Sequence, residues 1–196
     1  MRALIVYGSK NGSTKKIAEE IAAVLRNEGL ETRLADAEEE IGDVERFDAV
    51  VVGSALYLGS WLKAPARFVR QNQAALRARP VFLFTSGLRS DDPRSVNPKV
   101  VSELRGAIKP RDHRFLSGSL DPTKLGRLHR AVLRLPGIRT KFPLGDFRDW
   151  NEVRSWARGI ARSIGSPSLG KVERTSNRPS VAGSTAHLDS SPPASS

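Results

Sequence analysis

Cysteine is absent from the 196-residue chain, which removes disulfides, thiolate metal centres, iron–sulfur clusters and cysteine nucleophiles together. Histidine is scarce. His113, His129 and His187 lie far apart without metal-ligand spacing, so no metal site is expected. A G-x-S-x-G elbow is missing, which leaves a serine hydrolase with little support. No run approaches the ~20 apolar residues of a membrane-spanning helix. If the chain is an enzyme, its reactive group is expected to come from a cofactor, and no protein acid or base is singled out as catalytic.

Acidic residues are outnumbered: 32 Lys and Arg face 21 Asp and Glu, a formal net charge of +11. Such an excess suggests an anionic partner, whether nucleic acid, anionic lipid or an acidic small molecule. A generally basic proteome gives the same composition. No nucleic-acid motif accompanies the charge, so a nucleic-acid partner is not expected. The length fits one domain with a proper core. The first apolar run, Ala3 to Tyr7, is too short for a signal peptide and enters a glycine loop. It reads as a strand, and a cytoplasmic location is the default expectation.

Ala3–Tyr7, Ala49–Val52 and Pro80–Phe84 are continuously apolar, the pattern of strands buried on both faces. Glu31–Ala37 is a weaker strand, and Phe115–Leu120 a shorter fifth candidate. Between them, Ile17, Ile21, Val24 and Leu25 share one helical face that ends near Gly29, and Pro65–Leu76 and Lys99–Ile108 read as further helices. Asp149 followed by Glu152 has capping-box spacing and opens a last helix with Val153, Trp156, Ala157, Ile160 and Ile164 on its apolar face. Strands alternating with helices imply an α/β fold around a mostly parallel sheet of five strands, covering residues 1–165. Residues 166–196 are rich in Ser and Pro without aromatics or apolar periodicity, and are expected to form a disordered tail.

The strongest local signal is Leu4-Ile5-Val6-Tyr7-Gly8-Ser9-Lys10-Asn11-Gly12-Ser13-Thr14. A buried strand runs into a hydroxyl-rich loop that opens a helix, which gathers backbone N–H groups, hydroxyls and a helix N-terminus around one point. That arrangement suits a phosphate. Ser9, Ser13 and Thr14 can donate, Gly12 allows close backbone approach, and no arginine is required. A Walker loop needs lysine where Ser13 stands, and Gly8 and Gly12 lack G-x-G-x-x-G spacing.

This stretch resembles the phosphate-binding signature of flavodoxins, with Tyr7, Ser9, Gly12 and Thr14 in the signature places. The resemblance implies a doubly wound flavodoxin-like sheet of order 2-1-3-4-5, helices on both faces, and FMN held without a covalent bond. Flavodoxin is itself a standard instance of ligand binding at such a switch point. The implied cofactor-binding residues are Ser9, Lys10, Asn11, Gly12, Ser13 and Thr14, then Ser54, Ala55, Leu56, Tyr57 and Gly59 after the third strand. Thr85, Ser86, Gly87 and Leu88 after the fourth complete the set. Tyr57 is a candidate for stacking on the flavin ring, with Trp61 the competing aromatic.

Electron-carrier flavodoxins are generally acidic, and this chain is basic. It is more similar to the bacterial menaquinone-dependent protoporphyrinogen oxidase family, through the first loop, Val52–Gly59, Gly118-Ser119-Leu120 and Asp149-Trp150. In that family the second-loop aromatic stands one position later, where this chain has Leu58. The resemblance implies FMN-dependent transfer of electrons from a porphyrinogen to a quinone in haem synthesis. An electron-transfer protein serving acidic protein partners is the alternative.

Residues 122–145 carry Lys124, Arg127, Arg130, Arg134, Arg139 and Lys141 and no acidic residue. If residues 123–135 are helical, Arg127, Arg130 and Arg134 form a stripe opposite Leu125, Leu128, Val132 and Leu135. That pattern suits a helix lying on an anionic membrane surface, peripheral to its inner face. It equally suits contact with porphyrin propionates, or a solvated basic helix packing its leucines on the sheet.

Overall fold

The computed structural model describes residues 1–57, 59–87, 98–120 and 145–165. The chain opens with β1 (Arg2–Gly8), α1 (Ser13–Asn27), β2 (Glu31–Asp36), a short 3-10 turn (Val44–Arg46), β3 (Ala49–Tyr57), β4 (Ser60–Trp61), α2 (Lys63–Gln71) and α3 (Gln73–Arg77). Then come β5 (Val81–Gly87), α4 (Pro98–Ile108), β6 (Asp112–Ser117), β7 (Ser119–Leu120), β8 (Gly145–Asp146) and α5 (Trp150–Gly165). The parallel strands run β2-β1-β3-β5-β6. Counting main strands in chain order, this is the 2-1-3-4-5 arrangement implied by the resemblance.

Alternation along each strand divides the core in two. Ala3, Ile5, Ala49, Val51, Phe82 and Phe84 face α1 and α5, where they meet Ile17, Ile21, Trp156 and Ile160. Leu4, Val6, Val50, Val52, Val81 and Leu83 face the other layer, where they meet Phe68, Val69, Leu76, Leu104 and Ile108. Both sheet faces are covered by helices, which is why these strands read as unbroken apolar runs. Each fully buried aliphatic side chain contributes about 1.5–3 kcal/mol.

Several boundaries differ from the periodicity. The helix expected over Pro65–Leu76 is two helices, because the Asn72 side chain donates to the Phe68 carbonyl at 2.9 Å and ends α2 there. β3 and β5 extend to Tyr57 and Gly87, so residues expected in loops lie on strand ends. The fifth main strand begins at Asp112, and Phe115–Leu120 is interrupted at Gly118. Polar side chains at Asp112, His113 and Arg114 conceal an edge strand whose apolar contacts come only later. Asp149 caps α5 as expected, with Oδ1 accepting from the N–H groups of Asn151 and Glu152 at 2.9 and 3.0 Å. Residues 121–144, including Arg127, Arg130 and Arg134, lie outside the described residues, as do Leu58, Leu88 and the segment 166–196.

Candidate functional site

Strand register brings the sequence-predicted segments to one end of the sheet. Gly8 of β1 stands opposite Ser54 of β3, Ser54 opposite Thr85 of β5, and Thr85 opposite Phe115 of β6. The order reverses between β1 and β3, so the loop after β1 sits at the switch point, where open α/β sheets leave a crevice.

That loop turns into α1 through Gly12, whose φ of 81° lies in the left-handed region that favours glycine. Gly12 provides no side-chain cap, and the first turn of α1 holds no acidic residue. The leading N–H groups of the helix therefore meet no carboxylate that would compete with an incoming anion. Ser9 Oγ is buried without a hydrogen-bond partner among the described residues, and Thr14 is buried at the same turn. An orphaned hydroxyl beside an uncapped helix N-terminus is a donor set that fits a phosphate group.

Ser13 has a second attachment. The N–H of Ser119 donates to Ser13 Oγ at 2.8 Å. That leaves the Ser13 hydroxyl hydrogen to donate elsewhere. Gly118 N–H donates to the Gly87 carbonyl, and Phe147 N–H to the Gly118 carbonyl at 3.1 Å. A Cβ at Gly118 would stand 2.8 Å from Gly87 O and 3.2 Å from Ser13 Oγ, so only glycine allows β5, β6 and the loop to close on one another. The β7–β8 ribbon, with Ser119 paired to Asp146, is thereby fixed to the rim of the same site.

The two aromatics of the second segment have separate fates. Trp61 is 6% exposed, and its indole N–H donates to Thr85 Oγ1 at 2.8 Å. Tyr57 is 38% exposed at the rim, and Lys10 Nζ lies 3.7 Å from its ring centroid, a cation–π contact. Ser54 Oγ accepts from Leu62 N–H at 3.0 Å and donates to the Ala55 carbonyl at 2.9 Å. The hydroxyls of Ser54 and Thr85 thus serve the fold, tying the β3–β4 hairpin to α2 and β5. Ala55, Leu56 and Gly59 follow on that hairpin, and Ser86 and Gly87 end β5.

Beneath the hairpin is a buried relay that sequence reasoning missed. The Trp61 indole N–H donates to Thr85 Oγ1 at 2.8 Å, and Thr85 Oγ1 is hydrogen-bonded in turn to His113 Nε2 at 2.9 Å. His113 Nδ1 is buried without a partner among the described residues. Burial first, and the charge of Arg105 second, push the His113 pKa down from 6.5 to about 4, against the opposing charge of Asp112. Burial would raise the Asp112 carboxyl, but bonds from the Trp156 indole at 2.8 Å and Arg114 Nε at 3.1 Å hold it below its ordinary value. A lone histidine in a polar stretch gave no signal of this arrangement, because its partners come from β4 and β5.

Among the described residues no helix is long and apolar enough to cross a membrane, and no cluster of three metal-ligating side chains occurs. A family model described as flavodoxin domain matches residues 4–141. The protoporphyrinogen IX dehydrogenase (quinone) of Escherichia coli strain K12 is 24% identical over 183 residues, covering 86% of this chain and 99% of the relative. Among solved structures, a flavodoxin from the domain Archaea superposes with a TM-score of 0.56 at 16% identity, over 85% of this chain and 100% of that one. The rubredoxin oxygen:oxidoreductase of Desulfovibrio gigas gives a TM-score of 0.56 at 18% identity over 83% of this chain, which spans only 36% of that protein. At these identities the structural likeness concerns the fold.

Proposed function

The chain belongs to the flavodoxin domain family, and from that premise we propose that it is an FMN-dependent oxidoreductase passing electrons from a reduced porphyrinogen to a quinone. Membership of the family makes it a flavoprotein of redox function. The proposal is for the cofactor's identity, the substrates and the residues that serve them.

The observation that carries the cofactor reading is the buried, unpartnered Ser9 hydroxyl beside the uncapped start of α1. Ser9, Ser13 and Thr14, with the backbone N–H groups of Lys10, Asn11 and Gly12, would hold the phosphate. FMN, when bound, supplies a ring that takes up two electrons from an organic donor and releases them to an acceptor. Tyr57 would lie against that ring, and Lys10, resting on the Tyr57 face, would bring a positive charge to the same rim. Ser54 and Thr85 would serve the site by holding the β3–β4 hairpin in place, since their hydroxyls bond within the protein and their backbone lies in the sheet ladder. Ala55, Leu56 and Gly59 would flank the ring, and Ser86, Gly87 and Leu88 would line its polar edge.

Similarity to the E. coli dehydrogenase over nearly its whole length supports the substrate reading. Arg127, Arg130 and Arg134 would meet either an anionic membrane surface, where a quinone is found, or the propionates of a porphyrin. Anaerobic mixing of FMN-loaded protein with protoporphyrinogen tests the pairing. Bleaching of the bound flavin's visible absorbance, restored by a quinone, is the expected result. A flavin that stays oxidised in excess porphyrinogen counts against it.

A further inference from the structure

Arg148, two residues ahead of α5, is a buried cation that the reading above leaves unused. Its side chain is 7% exposed. Nε donates to Asp146 Oδ1 at 2.7 Å and Nη2 to Oδ2 at 2.5 Å, while the guanidinium lies 4.6 Å from the Trp150 ring centroid. Two bonds and a stacked face fix the guanidinium plane. The remaining nitrogen, Nη1, is buried with no partner among the described residues. A buried donor without an acceptor is disfavoured, more so when it carries charge, so a rigidly held one points to an acceptor that arrives with a ligand.

The surroundings indicate which kind. Asp146 is the register partner of Ser119, and Ser119 N–H is bonded to Ser13 Oγ in the first residue of α1. Lys16, one turn further along α1, adds positive charge at Asp146. α1 and α5 begin at the same end of the sheet and share one core layer, so the approach to α5 lies beside the approach to α1. Asp146 uses both oxygens on Arg148, and the first turn of α1 holds no carboxylate.

We propose that Arg148 Nη1 is a donor to an oxyanion, a phosphate or carboxylate oxygen, seated beside the loop of residues 9–14. The contact chain through Ser119 to Ser13 favours the phosphate of the flavin nucleotide as its source. The proposal rests on the flavin reading of the site. It adds a charged arm to a loop whose sequence suggested that backbone dipoles and hydroxyls suffice.

Paired titrations of the apoprotein with FMN and with riboflavin, which lacks the phosphate, test it in the wild type, Arg148→Gln and Arg148→Lys. Flavin fluorescence reads both affinities. The expected result is an FMN-to-riboflavin affinity ratio at least tenfold lower in Arg148→Gln, with riboflavin affinity unchanged and part of the ratio recovered in Arg148→Lys. Unchanged riboflavin affinity also shows that the variant folds. An unaltered ratio, with tenfold weaker binding of a dicarboxylate porphyrin to the FMN-loaded variant, would assign the subsite to a substrate carboxylate. If neither affinity moves, the proposal is overturned. Should the wild type bind neither flavin, the cofactor reading fails separately, and inorganic phosphate alone then decides. Arg148-dependent quenching of tryptophan fluorescence by phosphate supports the subsite, and its absence overturns it.

Discussion

Ser119 and Ser13 are 106 residues apart, yet the backbone N–H of one donates to the hydroxyl oxygen of the other at 2.8 Å. The bond joins the first residue of α1 to the ribbon between β6 and α5, so one small side chain serves both the fold and the candidate phosphate site. Ser13→Ala is expected to lower stability by about 1 kcal/mol and weaken FMN binding by roughly tenfold, the loss of one charge-assisted bond. Denaturant unfolding and flavin titration read the two effects. A stability loss without an affinity loss would reduce Ser13 to a structural tether.

Tyr57 and Trp61 separate by exposure, and their substitutions should separate by readout. Tyr57→Leu removes a rim aromatic and is expected to weaken flavin binding by roughly three- to tenfold, the range of an aromatic pair, with little change in stability. Trp61→Leu empties a buried site and removes the donor to Thr85, so it should cost about 3 kcal/mol or more. Thermal unfolding set beside flavin titration distinguishes them. Reversed outcomes would identify Trp61 as the stacking residue.

The Trp61–Thr85–His113 relay predicts a pH dependence. His113 has its folded pKa depressed from 6.5 to about 4, so between those values the unfolded chain binds more protons and stability rises with pH. The stabilising contribution is complete above pH 6.5 and is lost as pH falls towards 4. The full displacement corresponds to at most about 3 kcal/mol, and partial exposure lowers that to about 1–2 kcal/mol. His113→Gln should flatten this part of the stability profile. A profile unchanged by the substitution would remove His113 from the acid sensitivity of the fold.

The strand-to-helix turn over residues 9–14 was legible because its residues are consecutive, and the sheet order followed from the motif it resembles. Apolar runs located the three central strands for the same local reason. β6 was misplaced because its first three residues are polar and their partners, Trp61, Thr85 and Trp156, lie on other elements. The extension of β3 to Tyr57 was hidden too, since Ser54 looks like a loop residue until its hydroxyl is seen bonded to Leu62. Arg148 is one arginine among many in sequence. What sets it apart is a buried, unpartnered nitrogen on a guanidinium that is forked onto Asp146 and stacked on Trp150.

The basic segment of residues 122–145 makes a prediction that needs no turnover. Changing Arg127, Arg130 and Arg134 together to Gln is expected to weaken binding to anionic vesicles by about 3 kcal/mol, near 1 kcal/mol for each cation at the surface. Vesicle sedimentation at low and high salt measures it. Equal binding by both proteins would end the membrane reading and leave the porphyrin propionates as the partner of that segment.

The central claim is electron transfer from porphyrinogen to quinone through FMN. Its most direct test is anaerobic, fluorescence-detected formation of protoporphyrin by purified FMN-loaded protein with a menaquinone analogue. Turnover that requires both FMN and the quinone and exceeds the protein-free rate is predicted. Tightly bound FMN without such turnover would contradict the claim, and would move the protein to electron transfer between protein partners.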